Sequence, residues 1–214
     1  MKVVNENKDA RIIGYKNAQF TQDIVEVAVT LIPGEVVVIE PEEFFALENK
    51  DKYQYFVGVC LDLQERAEII KVLDELDLEC MSYINENCEV HPGAKIGKGT
   101  AIFSFNTIMH GAVIGDHCMI DAYCLVAHNT TLGSNCILHP GTMIAGKTVI
   151  GNNCLFNFRS SVLNSLTICD NVVVGAFTNV RKDIPEPGVY VGTSARRLTS
   201  SSADPLGHKT EQQD

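Results

Sequence analysis

The chain lacks several features that would settle its class at once. No apolar run approaches the roughly 20 residues of a membrane span, and the opening MKVVNENKDAR has no apolar signal core. No cluster of lysine or arginine appears, and the formal net charge is −10. A nucleic-acid backbone is therefore a poor partner. Eight cysteines are present, yet none form a CxxC pair, which argues against a structural zinc site. The expectation is a cytoplasmic protein with free thiols in a reducing compartment.

What the chain has is an unbroken series. Apolar residues stand at every sixth position from Ile84 to Val180, seventeen in all: Ile84, Val90, Ile96, Ile102, Ile108, Ile114, Ile120, Val126, Leu132, Leu138, Ile144, Ile150, Phe156, Val162, Ile168, Val174 and Val180. At this apolar content, chance would give such a run roughly once in a million. It is the hexapeptide repeat of a parallel β-helix. A longer period of three hexads is superimposed: Ile96-Gly97, Ile114-Gly115, Leu132-Gly133 and Ile150-Gly151 recur at that interval, and Ile168-Cys169 continues it. Two residues beyond stand Gly99, His117, Asn135, Asn153 and Asn171, types that tolerate a left-handed backbone. Three flat strands and three tight corners make a triangular coil. Cys88, Cys118, Cys124, Cys136 and Cys154 each fall two residues before a repeat aliphatic, so they read as small core residues.

Residues 1–83 alternate strand-like and helix-like segments. Strands are expected at Arg11–Tyr15, Glu35–Ile39, Tyr55–Cys60 and Leu78–Ile84. Helices are expected at Gln19–Leu31, Pro41–Leu47 and Leu63–Leu76, the last burying Ile69, Ile70, Val72, Leu73 and Leu76. That alternation predicts a small parallel α/β sheet. The expected division is an α/β unit at 1–83, the β-helix at 84–183, an extension at 184–198 and a polar, disordered tail at 199–214. The fold class is mainly β.

Histidines offer the chemistry. His110 and His128 lie three hexads apart, in HGAVIG and HNTTLG, and stack in one corner column. Either could be catalytic or simply polar at a polar corner. Gly146 is the next member of that column.

The segment VAHNTTLGSNCILHPGTMIAGKTVIGNNC, followed by VVVGAFTNVRKDIPEPGVYVGTSARRL, resembles the hexapeptide acyltransferases. More narrowly it is similar to the sugar N-acetyltransferases of the bacillosamine (PglD-like) and sialic acid (NeuD-like) pathways of bacterial surface glycans. The tract YQYFVGVCLDLQERAEIIKVLDELDLECMSYIN resembles the end of that family's N-terminal Rossmann-like, nucleotide-binding domain. The resemblance implies a left-handed β-helix, a homotrimer with active sites between subunits, acetyl-CoA as co-substrate and no metal. It implies an amino-sugar acceptor, nucleotide-linked in relatives.

It makes His128 the general base, a role its ordinary pKa near 6.5 suits. Gly146 is a candidate oxyanion donor or a plain corner residue. His139, Ala145, Gly146 and Ala176 match coenzyme-binding positions. Asp121 matches a polar active-site position. Asn129 stands where the family usually has an acidic partner of the histidine; it is either a turn residue or that partner's replacement. The family's glycine-rich first loop is here Gly14-Tyr15-Lys16-Asn17-Ala18-Gln19. Gly14, Lys16 and Asn17, with His110, are the acceptor-side candidates. O-acetylation at the same site and a non-catalytic relative are the alternatives. A γ-class carbonic anhydrase is disfavoured, because Phe105 and Tyr123 occupy the positions five before His110 and His128, where a second ligand would stand.

Overall fold

The structure is a computed structural model that describes residues 2–3, 7–18, 21–22, 25–26, 34–59, 62–194 and 196–197. Most of the helix expected at Gln19–Leu31, and all of the tail 199–214, lie outside the described residues.

The N-terminal unit is a four-stranded, wholly parallel sheet in the order Val36–Ile39, Ala10–Ile13, Gln54–Val57, Glu79–Cys80. The helices Pro41–Ala46 and Leu63–Glu75 accompany it, and the described residues 21–22 and 25–26 are also helical. The second begins at Asp62, whose carboxylate accepts from the N–H groups of Gln64 and Glu65 at 3.0 and 2.9 Å, a cap worth about 1 kcal/mol. Ile69, Ile70 and Leu73 of that helix enter the core with Ile13, Phe44 and Tyr55, whereas Leu76 sits past its end and is exposed. The expected strand Leu78–Ile84 divides. Glu79–Cys80 closes the α/β sheet, Met81 turns its side chain into the core between the units, and Ser82–Ile84 opens the solenoid.

The repeat folds as a parallel β-solenoid of about six turns. Strands of two or three residues stack in three sheets, each pairing with the strand three hexads on, as Thr107–Ile108 does with Leu125–Val126 and Val113–Ile114 with Thr131–Leu132. The sixth-position aliphatics fill the interior from Ile102 to Val180. Ile84, Val90 and Ile96 are only partly covered, because they line the open first turn. Small polar side chains finish the corners: Thr100, Cys118 and Cys136 donate to the carbonyls of Gly115, Gly133 and Gly151 at 3.0, 3.1 and 3.2 Å. Burial pushes the Cys124 thiol up to about 12, so it stays protonated at neutral pH.

The glycine column explains how closely the turns pack. A Cβ on Gly133 would stand 2.5 Å from the Gly151 carbonyl oxygen, and one on Gly115 would stand 2.6 Å from the Ser134 nitrogen. Above Cys169 the chain leaves this register. Ile184 bridges to Ile168 although it falls two positions short of a full turn, and the column there carries a side chain.

One face of the prism is covered. The outward residues Ala101, Met119, Ile137 and Leu155 form a second apolar core with Ala10, Ile12, Phe56 and Met81 of the α/β unit. Arg66 pins this junction although it is fully buried. Its guanidinium donates to Asn135 Oδ1 (2.7 Å), to the carbonyls of Val57 (2.5 Å) and Val59 (2.8 Å), and to that of His117 (2.6 Å). A buried cation is tolerable only when its hydrogens are used in this way.

Candidate active site

Each turn has a corner whose middle residue is left-handed: Gly93, Gly111, Asn129, Lys147 and Ser165 have φ of 84, 71, 55, 61 and 61°. The residue before each one projects outward. That places His110, His128 and Gly146 in one column, on successive turns.

His128 is exposed, and its ring lies over Gly146. A Cβ on that glycine would stand 2.6 Å from His128 Nε2 and 2.7 Å from Cε1. The glycine is thus required by space, since its φ is not left-handed. Its N–H donates to no group among the described residues, while its carbonyl accepts from Ser165. A base and an unused backbone donor therefore share one corner, with half-buried Ala145 beside them.

Asn129 is a turn residue and also touches the histidine. Its φ is 55°, and its Nδ2 lies 3.3 Å from His128 Nδ1. An amide N–H donating to Nδ1 leaves the ring proton on Nε2. The flipped amide, which fills the same outline, accepts from Nδ1–H and frees Nε2 as a base. His110 is held the second way, with Nδ1 2.7 Å from the Pro92 carbonyl oxygen, so Nε2 carries a lone pair.

Asp121 does not reach His128. It is paired with His139 one turn above it, Oδ2 to Nδ1 at 3.2 Å, and His139 stacks on Phe158 at 5.1 Å with a 6° tilt. The reason is positional. Asp121 precedes the strand Leu125–Val126 and His128 follows it, so they occupy different corners of the prism. Exposed Ala176 lies on the Asp121–His139 corner too, two turns above Pro140. Within one chain the candidates therefore form two groups at opposite edges of the same sheet: His110, His128, Asn129, Ala145 and Gly146 at one, Asp121, His139 and Ala176 at the other.

Gly14 ends the Ala10–Ile13 strand, where a Cβ would stand 2.9 Å from Thr21 Oγ1 and 3.3 Å from the Gly58 carbonyl carbon. This is the carboxyl end of the sheet, beside the point where strand order reverses, the usual ligand crevice of such sheets. Lys16 is ion-paired to Glu43 at 2.8 Å, Tyr15 donates to Glu65 at 2.7 Å, and Asn17 is exposed. The hydrogen bond to Glu65 raises the Tyr15 phenol to about 12. Sequence reasoning missed Arg66, the Asp121–His139 pair and the His110–Pro92 bond. The second of these had a signal, since Asp121 and His139 are separated by one full period of the repeat.

Residues 111–146 match the family model of the bacterial transferase hexapeptide (six repeats). That match shows the hexapeptide repeat itself over those residues. No curated protein sequence matches it. Among the solved structures that share the fold of these repeats and of the α/β unit are the following three. The acetyltransferase domain of PglB from Neisseria gonorrhoeae FA1090, in complex with acetyl coenzyme A, is 22% identical with a TM-score of 0.79, over 90% of this chain and 100% of that one. PerB from Caulobacter crescentus, in complex with CoA and GDP-perosamine, is 21% identical with a TM-score of 0.76, over 92% and 99%. WeeI from Acinetobacter baumannii AYE is 17% identical with a TM-score of 0.77, over 89% and 100%. At such identities the likeness is one of fold. No helix among the described residues is long and apolar enough to cross a membrane.

Proposed function

We propose that the protein is an acetyl-CoA-dependent N-acetyltransferase acting on the amine of an amino sugar, with His128 as general base. The observation that carries this is the contact of His128 with Gly146, which sets a base beside an unused N–H. The amine nitrogen attacks the thioester carbonyl carbon and forms the N–C bond. The negative charge on the tetrahedral oxygen is met by the Gly146 N–H. His128 Nε2 takes the proton of the attacking amine, the C–S bond breaks, and the proton passes to the departing thiolate of CoA. Asn129, with its oxygen toward Nδ1, keeps the imidazole in the tautomer this step needs.

The complexes of the neighbours with acetyl coenzyme A, CoA and GDP-perosamine support the co-substrate and a nucleotide-linked acceptor. On this reading Ala145, Gly146, His139 and Ala176 line the coenzyme groove, and Gly14, Lys16, Asn17 and His110 face the acceptor. Because the two site groups lie at opposite edges of one sheet, a homotrimer would bring one copy's His128 edge to the next copy's Asp121–His139 edge. A bacterial surface-glycan pathway in the cytoplasm fits the free, buried thiols.

The test is thiol release from acetyl-CoA with a panel of free and nucleotide-linked amino sugars. The reading expects release with at least one, and loss of most of that rate in His128→Ala. A second reading follows from the Pro92 bond, which already holds His110 in the base tautomer. If His110→Ala loses the rate and His128→Ala keeps it, the base is His110.

A further inference from the structure

His128 and Asn129 are followed by Thr130, which is fully buried. Its hydroxyl donates to the turn above, to the Ala145 carbonyl oxygen at 3.0 Å. That oxygen belongs to the peptide group that joins Ala145 to Gly146. The other end of the same peptide is the Gly146 N–H, which donates to no group among the described residues. One planar unit therefore carries an unused donor beside the His128 ring and an acceptor held from below by Thr130.

The column that contains Thr130 reads Ala94, Ala112, Thr130, Thr148 and Leu166, one full period apart. The two alanines have no hydroxyl. Their backbone N–H groups close the corner's own turn, donating to the carbonyls of His91 and Met109 at 3.2 and 3.1 Å. His91 and Met109 hold the place that Ala145 holds three and two turns higher. The Ala145 carbonyl takes no backbone N–H among the described residues, and the Thr130 hydroxyl stands in for that bond. The same device recurs one turn up, where Thr148 donates to the Leu163 carbonyl at 3.2 Å. There the bonded peptide ends in the N–H of Asn164, two turns above His128 and about 10 Å from it at roughly 4.8 Å per turn. The two threonines thus make one bond in two places, and only the lower one ends at the base.

We propose that Thr130 is a positioning residue for acyl transfer: its hydroxyl fixes the plane of the Ala145–Gly146 peptide and so aims the Gly146 N–H at the thioester oxygen. A peptide group is planar, so holding its oxygen sets the direction of its N–H. A hydrogen bond to the carbonyl oxygen also draws charge from the nitrogen, which makes the N–H a stronger donor. Both effects matter most as negative charge develops on the tetrahedral oxygen, so they act on kcat more than on KM. Thr130 itself touches no reacting atom. Its role rests on the acetyl-transfer reading and adds to it the group that holds the donor in place. Three consecutive residues then divide the work: His128 is the base, Asn129 sets its tautomer, and Thr130 orients the opposing donor.

The experiment compares the whole parent protein with Thr130→Val, Thr130→Ser and Thr148→Val. Valine keeps the shape and removes the hydroxyl, serine keeps the hydroxyl, and Thr148→Val removes the same kind of bond one turn higher. Thr130→Ala, which copies the residue at Ala112, takes the place of Thr130→Val if valine does not fold. With an acceptor that the parent turns over, Thr130→Val loses about tenfold or more in kcat, with KM for acetyl-CoA little changed. Thr130→Ser recovers most of that loss. Thr148→Val keeps the parent kcat although its Tm falls as far as that of Thr130→Val. A second measurement needs no substrate. In protein labelled with nitrogen-15 glycine, the Gly146 amide signal, identified by its loss in Gly146→Ala, shifts in Thr130→Val and stays in place in Thr148→Val. The proposal is overturned if Thr130→Val keeps the parent kcat, if Thr148→Val loses as much, or if the Gly146 signal does not move. Any of these in a parent that turns over overturns the role of Thr130 alone. A parent inert towards every acceptor overturns the acetyl-transfer reading, and this role falls with it.

Discussion

His128 and Gly146 are in such close contact that a Cβ on the glycine would stand 2.6 Å from the imidazole Nε2. One turn of the solenoid thus sets the position of the side chain on the turn below. Gly146→Ala should push the ring aside by about an ångström while leaving the backbone unstrained, because φ there is not left-handed. Misplacement of that size costs about 10²-fold in rate. The expected result is a fall of that order in kcat with little change in Tm. Unaltered kcat would mean that the contact has no part in the chemistry.

Asn129 serves as both a turn and a partner of the histidine, and two substitutions separate the roles. Asn129→Gly keeps the left-handed turn and removes the amide 3.3 Å from Nδ1. It should melt within a few degrees of the parent and lose roughly tenfold or more in kcat. Asn129→Asp should restore or raise the rate, since a carboxylate accepts from Nδ1–H and stabilises the protonated ring. Equal rates in all three proteins would reduce Asn129 to its turn.

Arg66 ties the helix Leu63–Glu75 to the solenoid through Asn135 Oδ1 and the His117 carbonyl, and to its own α/β unit through the carbonyls of Val57 and Val59. Arg66→Ala leaves those acceptors buried and unmet, a loss of at least about 1–3 kcal/mol, the cost of one buried polar group left without a partner. Urea unfolding should show it as a lower midpoint. A loss within about 1 kcal/mol would show that the junction relaxes or admits water.

His117 supplies a pH prediction. It is buried, with Nε2 3.5 Å from Asp74 Oδ1, too far for a good hydrogen bond, and Nε2 has no hydrogen-bond partner among the described residues. Burial holds its pKa below the ordinary imidazole value, with Asp74 opposing and Arg66 adding to the shift. The unfolded chain therefore takes up this proton at a higher pH than the folded one. Stability is complete above about 6.5, falls as pH drops from there, and levels off below the depressed folded value. Asp74 adds a separate step. Its burial favours the neutral acid, but the Lys98 hydrogen bond and the His117 charge outweigh that and hold it below the ordinary carboxylate value. Its contribution is present above that ordinary value and lost as pH falls through the lower folded one. His117→Asn, which also suits the left-handed corner, should flatten the first segment of a stability-against-pH curve and shrink the second without abolishing it, because Lys98 still holds Asp74 down while the His117 charge is gone.

The interior of the solenoid was legible because every sixth side chain meets the same environment, so the requirement repeats in the sequence. The same logic located the left-handed corners at Gly99, His117, Asn135, Asn153 and Asn171, all found at φ between 55 and 65°. The division of Leu78–Ile84 was not legible: the strand changes sheets at Met81, and a continuous apolar pattern does not record which sheet is joined. Arg66 left no trace because most of its partners are backbone carbonyls, which carry no residue type. Asp121 was assigned to the His128 site by likeness, while the three-hexad spacing that stacked His110 under His128 also placed Asp121 under His139.

The three-hexad register has a further consequence. In this fold, position along the chain is also an angle around an axis. Inserting or deleting one hexad between His128 and Gly146 would swing everything beyond it through a third of a revolution. His128 would then no longer stand under Gly146, although each hexad would still bury its aliphatic residue. Only changes by three hexads at a time keep the bearing. Length variants of this protein should therefore sort into two sets, both folded, of which one keeps its corners aligned.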